Sequence, residues 1–188
     1  MENYQIITLN NARKHQLVSG VVMHSLQVNA DPRGTLTEAL KTTWDDVYHL
    51  KDRPFAQMYF SKTLPETARD VDCWHYHPGG QEDRFGVIAG DIVVVIYDNR
   101  DDSPTKGTLN LFAMGQSQCP EGQYLLLVPQ RTYHGYIVVS DTQAVMFNYP
   151  TRLYDPNEEK RLPFAQYPLA DGATFDWQQV VTAYKRSK

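Results

Sequence analysis

Two stretches of the chain decide the fold: residues 73–90 (CWHYHPGGQEDRFGVIAG) and residues 128–140 (VPQRTYHGYIVVS). Together they contain three of the six histidines, His75, His77 and His134. Both stretches are typical of β-strands, in which residues two apart point to the same side. His75 and His77 therefore project together, and His134 joins them if the two strands sit face to face. The pattern predicts a polar site inside a small β-barrel.

Apolar runs separated by turn residues recur along the rest of the chain. Residues 92–97 (IVVVIY) are a β-branched run typical of a buried strand. Further strands are predicted at residues 17–28, 35–40, 57–62, 85–88, 109–114, 124–128, 135–139 and 144–149. Strands about ten residues apart with turns between them indicate an all-β sandwich or barrel, here one domain over residues 1–188.

The C-terminal part of the chain has a different pattern. Residues 155–172 are punctuated by prolines, and residues 158–161 (EEKR) are interpreted as a solvated turn. Residues 175–188 are predicted to form a short amphipathic helix, opened by Thr174 or Asp176.

The composition argues against several classes of function. The formal net charge of −4 argues against nonspecific binding to nucleic acid or anionic membranes, both of which need a basic face. The two cysteines, Cys73 and Cys119, provide neither a disulfide framework nor metal-site spacing. No apolar run approaches the roughly 18 residues of a spanning helix, and residues 1–4 do not resemble a signal peptide. The sequence predicts a soluble cytoplasmic protein with no nucleic-acid or membrane partner.

Short motifs follow one another at fixed spacing between residues 31 and 164. The histidine segments contain His75-x-His77, a carboxylate and Gly90, followed by Pro129-x-Arg131-x-x-His134. They are accompanied by Asp31-x-Arg33-Gly34-x-Leu36-x-Glu38, Tyr97-Asp98-x-Arg100, Ser103-Pro104-Thr105-x-Gly107 and Thr151-x-x-Tyr154-x-Pro156-x-x-Glu159. Together these motifs resemble the cupin superfamily and, within it, the dTDP-4-dehydrorhamnose 3,5-epimerase family. The resemblance implies a double-stranded β-helix (a cupin jelly roll) followed by the short C-terminal helix.

The same resemblance implies a homodimeric enzyme that epimerises carbons flanking a ketone on a nucleotide-linked sugar, without a cofactor. Such chemistry needs a base that titrates near neutral pH, a proton donor on the other face of the sugar and a group that stabilises the enolate. By resemblance, His75 is the base and His134 is the second histidine of the site. Four further positions match substrate-binding residues of the family: Arg33, Glu38, Gln57 and Glu159.

Several positions depart from the family pattern. The catalytic tyrosine of the family falls on Asn148, with Tyr149 one place along and thus on the opposite face of the strand. The family's site lysine is replaced by Asp83, and an arginine three residues before the base is replaced by Asp72. The aspartate that orients the base has no aligned counterpart, and the candidates are Asp171 and Asp176. The base is therefore retained, whereas the acid position holds Asn148 beside Tyr149.

These departures restore the ligand set of a metal-binding cupin. His75, His77, Asp83 and His134 occupy the corresponding places, with Glu82 as an alternative carboxylate. Imidazoles and one carboxylate suit Fe(II), Mn(II), Ni(II) or Zn(II), and such an ion stabilises an enolate as a Lewis acid. The sequence is thus compatible with three hypotheses: a nucleotide-sugar epimerase, a metal-dependent cupin enzyme, or a noncatalytic protein that binds a nucleotide sugar.

Overall fold

In the computed structural model, which describes residues 4–188, two large β-sheets pack face to face. The signal-peptide expectation concerned residues 1–4, of which residues 1–3 lie outside the described range. In chain order the strands are β1 (Ile6–Ile7), β2 (Val22–Ser25), β3 (Val28–Asp31), β4 (Gly34–Thr37), β5 (Tyr59–Thr63), β6 (Cys73–Tyr76), β7 (Asp83–Ala89), β8 (Asp91–Tyr97), β9 (Leu109–Gly115), β10 (Tyr124–Val128), β11 (Tyr133–Val138), β12 (Ala144–Asn148) and β13 (Lys160–Pro163). The helix α1 spans Trp177–Ser187.

The strands interleave between the two sheets. One sheet has the order β1-β9-β8-β11-β6-β13 and the other the order β2-β10-β7-β12-β5. Except for the parallel pair of β1 and β9, the pairings within these sheets are antiparallel. This arrangement is the predicted all-β jelly roll, and the predicted C-terminal helix is also confirmed.

The central strand β8 shows how the core is divided. Ile92, Val94 and Ile96 face the opposite sheet, whereas Val93 and Val95 face outward toward α1. All five side chains are fully buried because both faces of this sheet are covered. The inner face, where the predicted histidines lie, is therefore enclosed between the two sheets.

Helix α1 begins where the sequence predicts. Asp176 is its N-cap and accepts a hydrogen bond from the backbone N–H of Gln178 at 2.9 Å. The helix is 11 residues long, and no helix in residues 4–188 is long and apolar enough to cross a membrane. Its buried face covers the outside of the six-stranded sheet.

Strand β13 was not predicted. It pairs with the edge of β6 and places Arg161 opposite His75. The expectation of a solvated turn at residues 158–161 is wrong for Lys160 and Arg161, because the exposed edge of β6 supplies hydrogen-bonding partners for their backbone. A charged strand of four residues gives no periodic apolar signal by which to recognise it.

The hairpin of β3 and β4 stands apart from both sheets. Its strands pair with each other, and their turn holds Pro32 and Arg33 between Asp31 and Gly34. Gly34 has φ of +135°, a conformation that favours glycine. Since every residue from 29 to 36 is exposed, the hairpin projects into solvent with Arg33 at its tip.

The loop after β8 is organised by Asp98. Its buried carboxylate accepts hydrogen bonds from Arg100 Nε at 2.8 Å, from the Ser103 hydroxyl at 2.5 Å and from the Thr105 hydroxyl at 2.6 Å. Burial alone raises the pKa of Asp98, but these donors hold it well below its usual range.

We therefore expect Asp98→Asn to lower the free energy of unfolding by about 2 kcal/mol at pH 7, as for hydrogen bonds to a charged group. A carboxyl whose pKa is lowered in the native state stabilises above its unfolded value, and this contribution is lost as pH falls through the native value. The difference between wild type and variant should therefore shrink below about pH 4. Urea unfolding at pH 7 and pH 3 measures it, with the exposed Asp101→Asn as a control that changes little. An equal loss at both pH values would contradict the proposed charge effect.

Candidate functional site

The three predicted histidines converge on the inner face of the six-stranded sheet. His75 on β6 lies directly opposite His134 on β11, and the two ring centroids are 5.1 Å apart. His77, one residue beyond β6, has its ring centroid 4.7 Å from that of His75 and 5.6 Å from that of His134. The expectation that the two strands face each other is wrong, because they are hydrogen-bonded neighbours in one sheet. Neighbouring strands bring paired side chains together equally well.

Asp83 reaches this cluster from the opposite sheet. Its Oδ2 lies 3.3 Å from His77 Nε2 and 3.5 Å from His134 Nε2. Its Oδ1 accepts hydrogen bonds of 2.8 Å from Gln81 Nε2 and from Asn148 Nδ2. The carboxylate is 2% exposed and links the two sheets across the interior of the barrel.

The charges in this cluster follow from burial and contact. Burial raises the pKa of Asp83, but the hydrogen bond and charge of His77 hold it well below its usual range. Burial lowers the pKa of His77, but the contact with Asp83 outweighs it and raises the pKa overall. Burial, followed by the charge of His75, lowers the pKa of His134 to about 3. Asp83 is thus ionised and favours the protonated form of His77, whereas His134 is neutral at physiological pH.

His75 has a different carboxylate partner. Its Nδ1 lies 3.5 Å from Asp70 Oδ2, and Asp70 Oδ1 accepts a hydrogen bond of 3.1 Å from Arg161 Nε. Arg161 also pairs with Glu159 at 2.6 Å. Burial alone raises the pKa of Asp70, but His75 and Arg161 lower it overall. The carboxylate beside His75 is therefore ionised.

The aspartate beside His75 is Asp70, and not Asp171 or Asp176, the two candidates from the sequence. Asp176 caps α1, and Asp171 accepts a hydrogen bond from the backbone N–H of Ala173. Both roles are structural and local. Asp70 precedes His75 by five residues in the loop before β6, so proximity in sequence was the available signal.

His75 and His134, but not His77, border a cavity of about 280 Å³ between the sheets. Its lining residues are Tyr59, Ser61, Arg69, Asp70, His75, Asp83, Phe85, His134, Gly135, Tyr136, Met146, Glu159 and Arg161. A larger groove of about 930 Å³ lies elsewhere on the surface and contains none of the three clustered histidines. The smaller cavity is the candidate site because the titratable groups converge there.

Two of the predicted catalytic or metal-binding residues, Tyr149 and Glu82, point away from the cavity and the histidine cluster. The Tyr149 ring packs against Phe55 and Phe147 on the outer face of the five-stranded sheet, as the alternation along β12 requires. Its assignment as a catalytic residue is therefore corrected. Glu82 also points away from the histidines and pairs with Arg53 at 2.8 Å, which leaves Asp83 as the carboxylate of the cluster.

The four predicted substrate-binding residues are dispersed. Glu159 lines the cavity. Arg33 pairs with Asp31 at the tip of the hairpin, where 90% of its side chain is exposed. Glu38 pairs with Lys41 at the surface, and Gln57 donates a hydrogen bond of 3.4 Å to the carbonyl oxygen of Arg152. Within one chain, Arg33, Glu38 and Gln57 do not line the cavity.

Several residues that line the cavity were not identified from the sequence. Tyr59 lies in a strand that was predicted from residues 57–62, but its pairing with β12 was not predictable. Tyr136 packs in the core between the sheets, and its hydroxyl also lies 2.8 Å from that of Ser61 and 2.9 Å from that of Thr63. Alternation along each strand indicates which residues share a face, but not which face is inside.

The imidazoles are also placed to bind a metal ion. The potential ligand atoms of His75, His77 and His134 all lie within 4.8 Å of one another. Asp83 Oδ2 lies 3.3 and 3.5 Å from two of these imidazoles, and two ligands about 2.1 Å from one ion in tetrahedral geometry are about 3.4 Å apart. The three imidazoles would hold a divalent ion, which supplies Lewis-acid chemistry when bound, and Asp83 lies beside two of them.

Comparisons with known proteins identify one matching family model and several similar proteins. Residues 15–183 match the family model described as dTDP-4-dehydrorhamnose 3,5-epimerase. The chain is 39% identical over 150 residues to the probable low-salt glycan biosynthesis epimerase Agl13 of Haloferax volcanii, covering 78% of this chain and 88% of that protein. It is 31% identical over 163 residues to the spore coat polysaccharide biosynthesis protein SpsL of Bacillus subtilis, covering 86% and 97%. Among solved structures, it resembles a dTDP sugar isomerase from Desulfovibrio desulfuricans with a TM-score of 0.71 and 27% identity, covering 87% of this chain and 96% of that one.

The link between the sheets can be tested by removing the charge of Asp83. Asp83→Asn keeps the shape of the side chain but leaves the His77 imidazolium without its buried counter-ion. We expect the free energy of unfolding to fall by about 3 kcal/mol, as when one partner of a buried pair is lost. Urea unfolding at pH 6 measures this, and Asp72→Asn, an exposed aspartate in the same region, serves as the control. A loss below ~1 kcal/mol, the range of a surface pair, would contradict the proposed link.

Proposed function

The chain belongs to the dTDP-4-dehydrorhamnose 3,5-epimerase family, and on that premise we propose that it inverts a carbon next to the ketone of a nucleotide-linked 4-keto sugar, with His75 as the base. The observation that carries the proposal is the position of His75 on the cavity wall with the Asp70 carboxylate behind it. Family membership favours this function over a metal-dependent cupin enzyme and over a noncatalytic binding protein.

The Asp70–His75 pair supports the role of base. A carboxylate oxygen only accepts hydrogen bonds, so Asp70 favours the tautomer of His75 with its proton on Nδ1. The lone pair of Nε2 is then free to take a proton from a carbon that the neighbouring ketone makes acidic. The ionised Asp70 stabilises the imidazolium that forms, and Arg161 holds Asp70 in position.

The enolate needs positive charge near its oxygen, and the family's lysine is absent. We infer that Arg69, which lines the cavity, supplies this charge. Arg161 also borders the cavity, but its charge is balanced by Asp70 and Glu159. The contact with Asp83 favours a protonated His77, which offsets the repulsion between the Asp83 carboxylate and an enolate.

The size of the cavity bears on how the substrate lies. Its volume of about 280 Å³ is at the lower end of the roughly 300–1,000 Å³ of small-molecule sites. The sugar ring fits inside, and the nucleoside diphosphate then lies at the mouth. The negative charge of the phosphates requires donors there, and guanidinium groups are suited to this.

We propose that these donors come partly from a second copy of the chain in a homodimer. Arg33 lies on a projecting hairpin that neither sheet pairs, and it does not line the cavity of its own chain. Exposed apolar side chains accompany it, with Leu36 on the hairpin 63% exposed and Phe60 on the edge strand β5 58% exposed. Unpaired strand edges and exposed apolar residues are typical of a surface that a partner covers.

The role of His75 is tested by exchange of substrate hydrogen with solvent deuterium. With a panel of 4-keto-6-deoxyhexoses linked to dTDP and other nucleoside diphosphates, the wild type should incorporate deuterium at carbons beside the ketone, followed by NMR. His75→Asn should slow this exchange by at least about 10²-fold, because general base catalysis is lost. His49→Asn, an exposed histidine outside the cavity, serves as the control.

Two outcomes would contradict the proposal. No exchange by wild-type protein with any member of the panel would remove the proposed reaction. Exchange that disappears after treatment with a chelator, and returns with an added divalent metal, would instead favour the metal-dependent alternative. We propose that the reaction needs no cofactor, so the exchange rate should be the same before and after chelation.

The dimer proposal makes a separate prediction for Arg33. Arg33→Ala should raise KM for the nucleotide sugar about tenfold with little change in kcat, because the lost contact binds ground state and transition state equally. Lys14→Ala, at an exposed position, is the control. Steady-state kinetics measure the effect, and sedimentation velocity gives the oligomeric state. An unchanged KM, or a monomer at the assay concentration, would contradict the proposal.

A further inference from the structure

Inversion at carbon needs a proton donor on the side of the cavity opposite the base. His75 belongs to the six-stranded sheet, so the donor has to come from the five-stranded sheet. Asn148, the residue of that sheet at the position of the family's tyrosine, carries an amide, which is not a useful acid at carbon. The hydroxyl groups that line the cavity belong to Tyr59, Ser61 and Tyr136.

Tyr59 lies on the strand next to Asn148. The two residues are direct partners in the antiparallel register of β5 and β12, so both side chains point into the barrel. Asn148 Nδ2 donates a hydrogen bond of 2.8 Å to the phenolic oxygen of Tyr59. The phenol thus occupies the cavity side of the sheet one strand away from Asn148.

The hydrogen bonds of Asn148 determine the direction of this contact. Its Oδ1 accepts the backbone N–H of Arg84 at 2.9 Å, which identifies the other terminal atom as the amide nitrogen. The two hydrogens of that nitrogen go to Tyr59 and to the carboxylate of Asp83. Tyr59 therefore accepts a hydrogen bond at its oxygen, and its own proton remains available to the cavity.

Tyr136 differs from Tyr59 in this respect. Its hydroxyl lies 2.8 Å from the hydroxyl of Ser61 and 2.9 Å from that of Thr63. It belongs to the six-stranded sheet, the same sheet as the base, and it is 5% exposed. Tyr59 is 46% exposed and so remains accessible from the mouth of the cavity.

We propose that Tyr59 is the catalytic acid of the epimerisation, acting from the sheet opposite His75. This inference rests on the proposed function. His75 Nε2 takes the proton from the carbon beside the ketone, and the electron pair of that C–H bond forms the enolate. The enolate carbon then takes the phenolic proton of Tyr59 on its other face, which leaves an imidazolium and a phenolate. Loss of one proton from His75 to solvent and gain of one by Tyr59 from solvent restore the enzyme.

The surroundings of Tyr59 keep its proton in place. Partial burial, followed by the negative charge of Asp83, raises the pKa of Tyr59 to about 12, so the phenol carries its proton at physiological pH, and the hydrogen bond from Asn148 acts in the opposite direction. When the proton leaves, the hydrogen bond from Asn148 is strengthened by the charge on the oxygen. Asn148 is thus a positioning residue, because it orients the phenol without touching the reacting atoms.

The test compares exchange with inversion in Tyr59→Phe. This variant keeps the ring and removes the hydroxyl, so His75 still removes the substrate proton and returns solvent deuterium to the same face. We expect deuterium uptake into recovered substrate to persist within about threefold, and formation of the inverted sugar to fall by about 10² to 10⁴-fold, the contribution of one general acid. A structural defect would lower both rates together, and thermal unfolding checks that the fold is retained.

The matched control is a tyrosine whose hydroxyl lies outside the cavity. Tyr184→Phe removes a hydroxyl on α1, outside the cavity, and should invert the sugar at the wild-type rate. If Tyr59→Phe inverts the sugar within twofold of wild type, or loses exchange and inversion equally, Tyr59 is not the acid. If wild-type protein exchanges no deuterium with any 4-keto sugar, the proposed function itself fails, and this outcome is distinct from the other two.

Discussion

The carboxylate of Asp83 is the constraint on which the interior of the barrel depends. A charge with 2% exposure has lost nearly all of its hydration, and it is stable there only with a counter-ion and a full set of hydrogen bonds. His77 supplies the counter-ion, and Gln81 and Asn148 supply donors. Because Asp83 and His77 come from facing sheets, satisfying this one charge also sets how the sheets meet.

The family's lysine is a cation at the position of Asp83, so this chain reverses the sign of the charge there. Asp83 raises the pKa of His77 and so favours a compensating positive charge beside it, while burial keeps His134 neutral. His75 on β6 and His77 just beyond it thus have different partners: His77 contacts the buried Asp83, and His75 pairs with Asp70 at the cavity wall. This division explains how the buried Asp83 carboxylate and the proposed base, His75, line the same small cavity.

The same strand geometry places the proposed acid and the proposed base on different sheets. His75 and His134 are partners across β6 and β11, and Tyr59 and Asn148 are partners across β5 and β12. In each case the two paired side chains lie on the same face of the sheet. A functional group at either position of the pair therefore faces the cavity. The phenol of Tyr59 therefore reaches the cavity although position 148 holds no phenol, whereas Tyr149, one residue beyond β12, points away.

Local patterns in the sequence were sufficient to predict most of the strands, the C-terminal helix and the shared face of His75 and His77. These features follow from contacts between residues close in the chain. The sequence motifs also placed His134 and Asp83 in the candidate site. The tertiary structure alone decided that β6 and β11 are neighbours in one sheet, that Asp70 and Arg161 support His75, and that Tyr59 lies beside Asn148. The physical reason is that these pairs depend on strand order and register. Both are determined when the two sheets bury a common core, and neither can be read from the local sequence pattern of either strand.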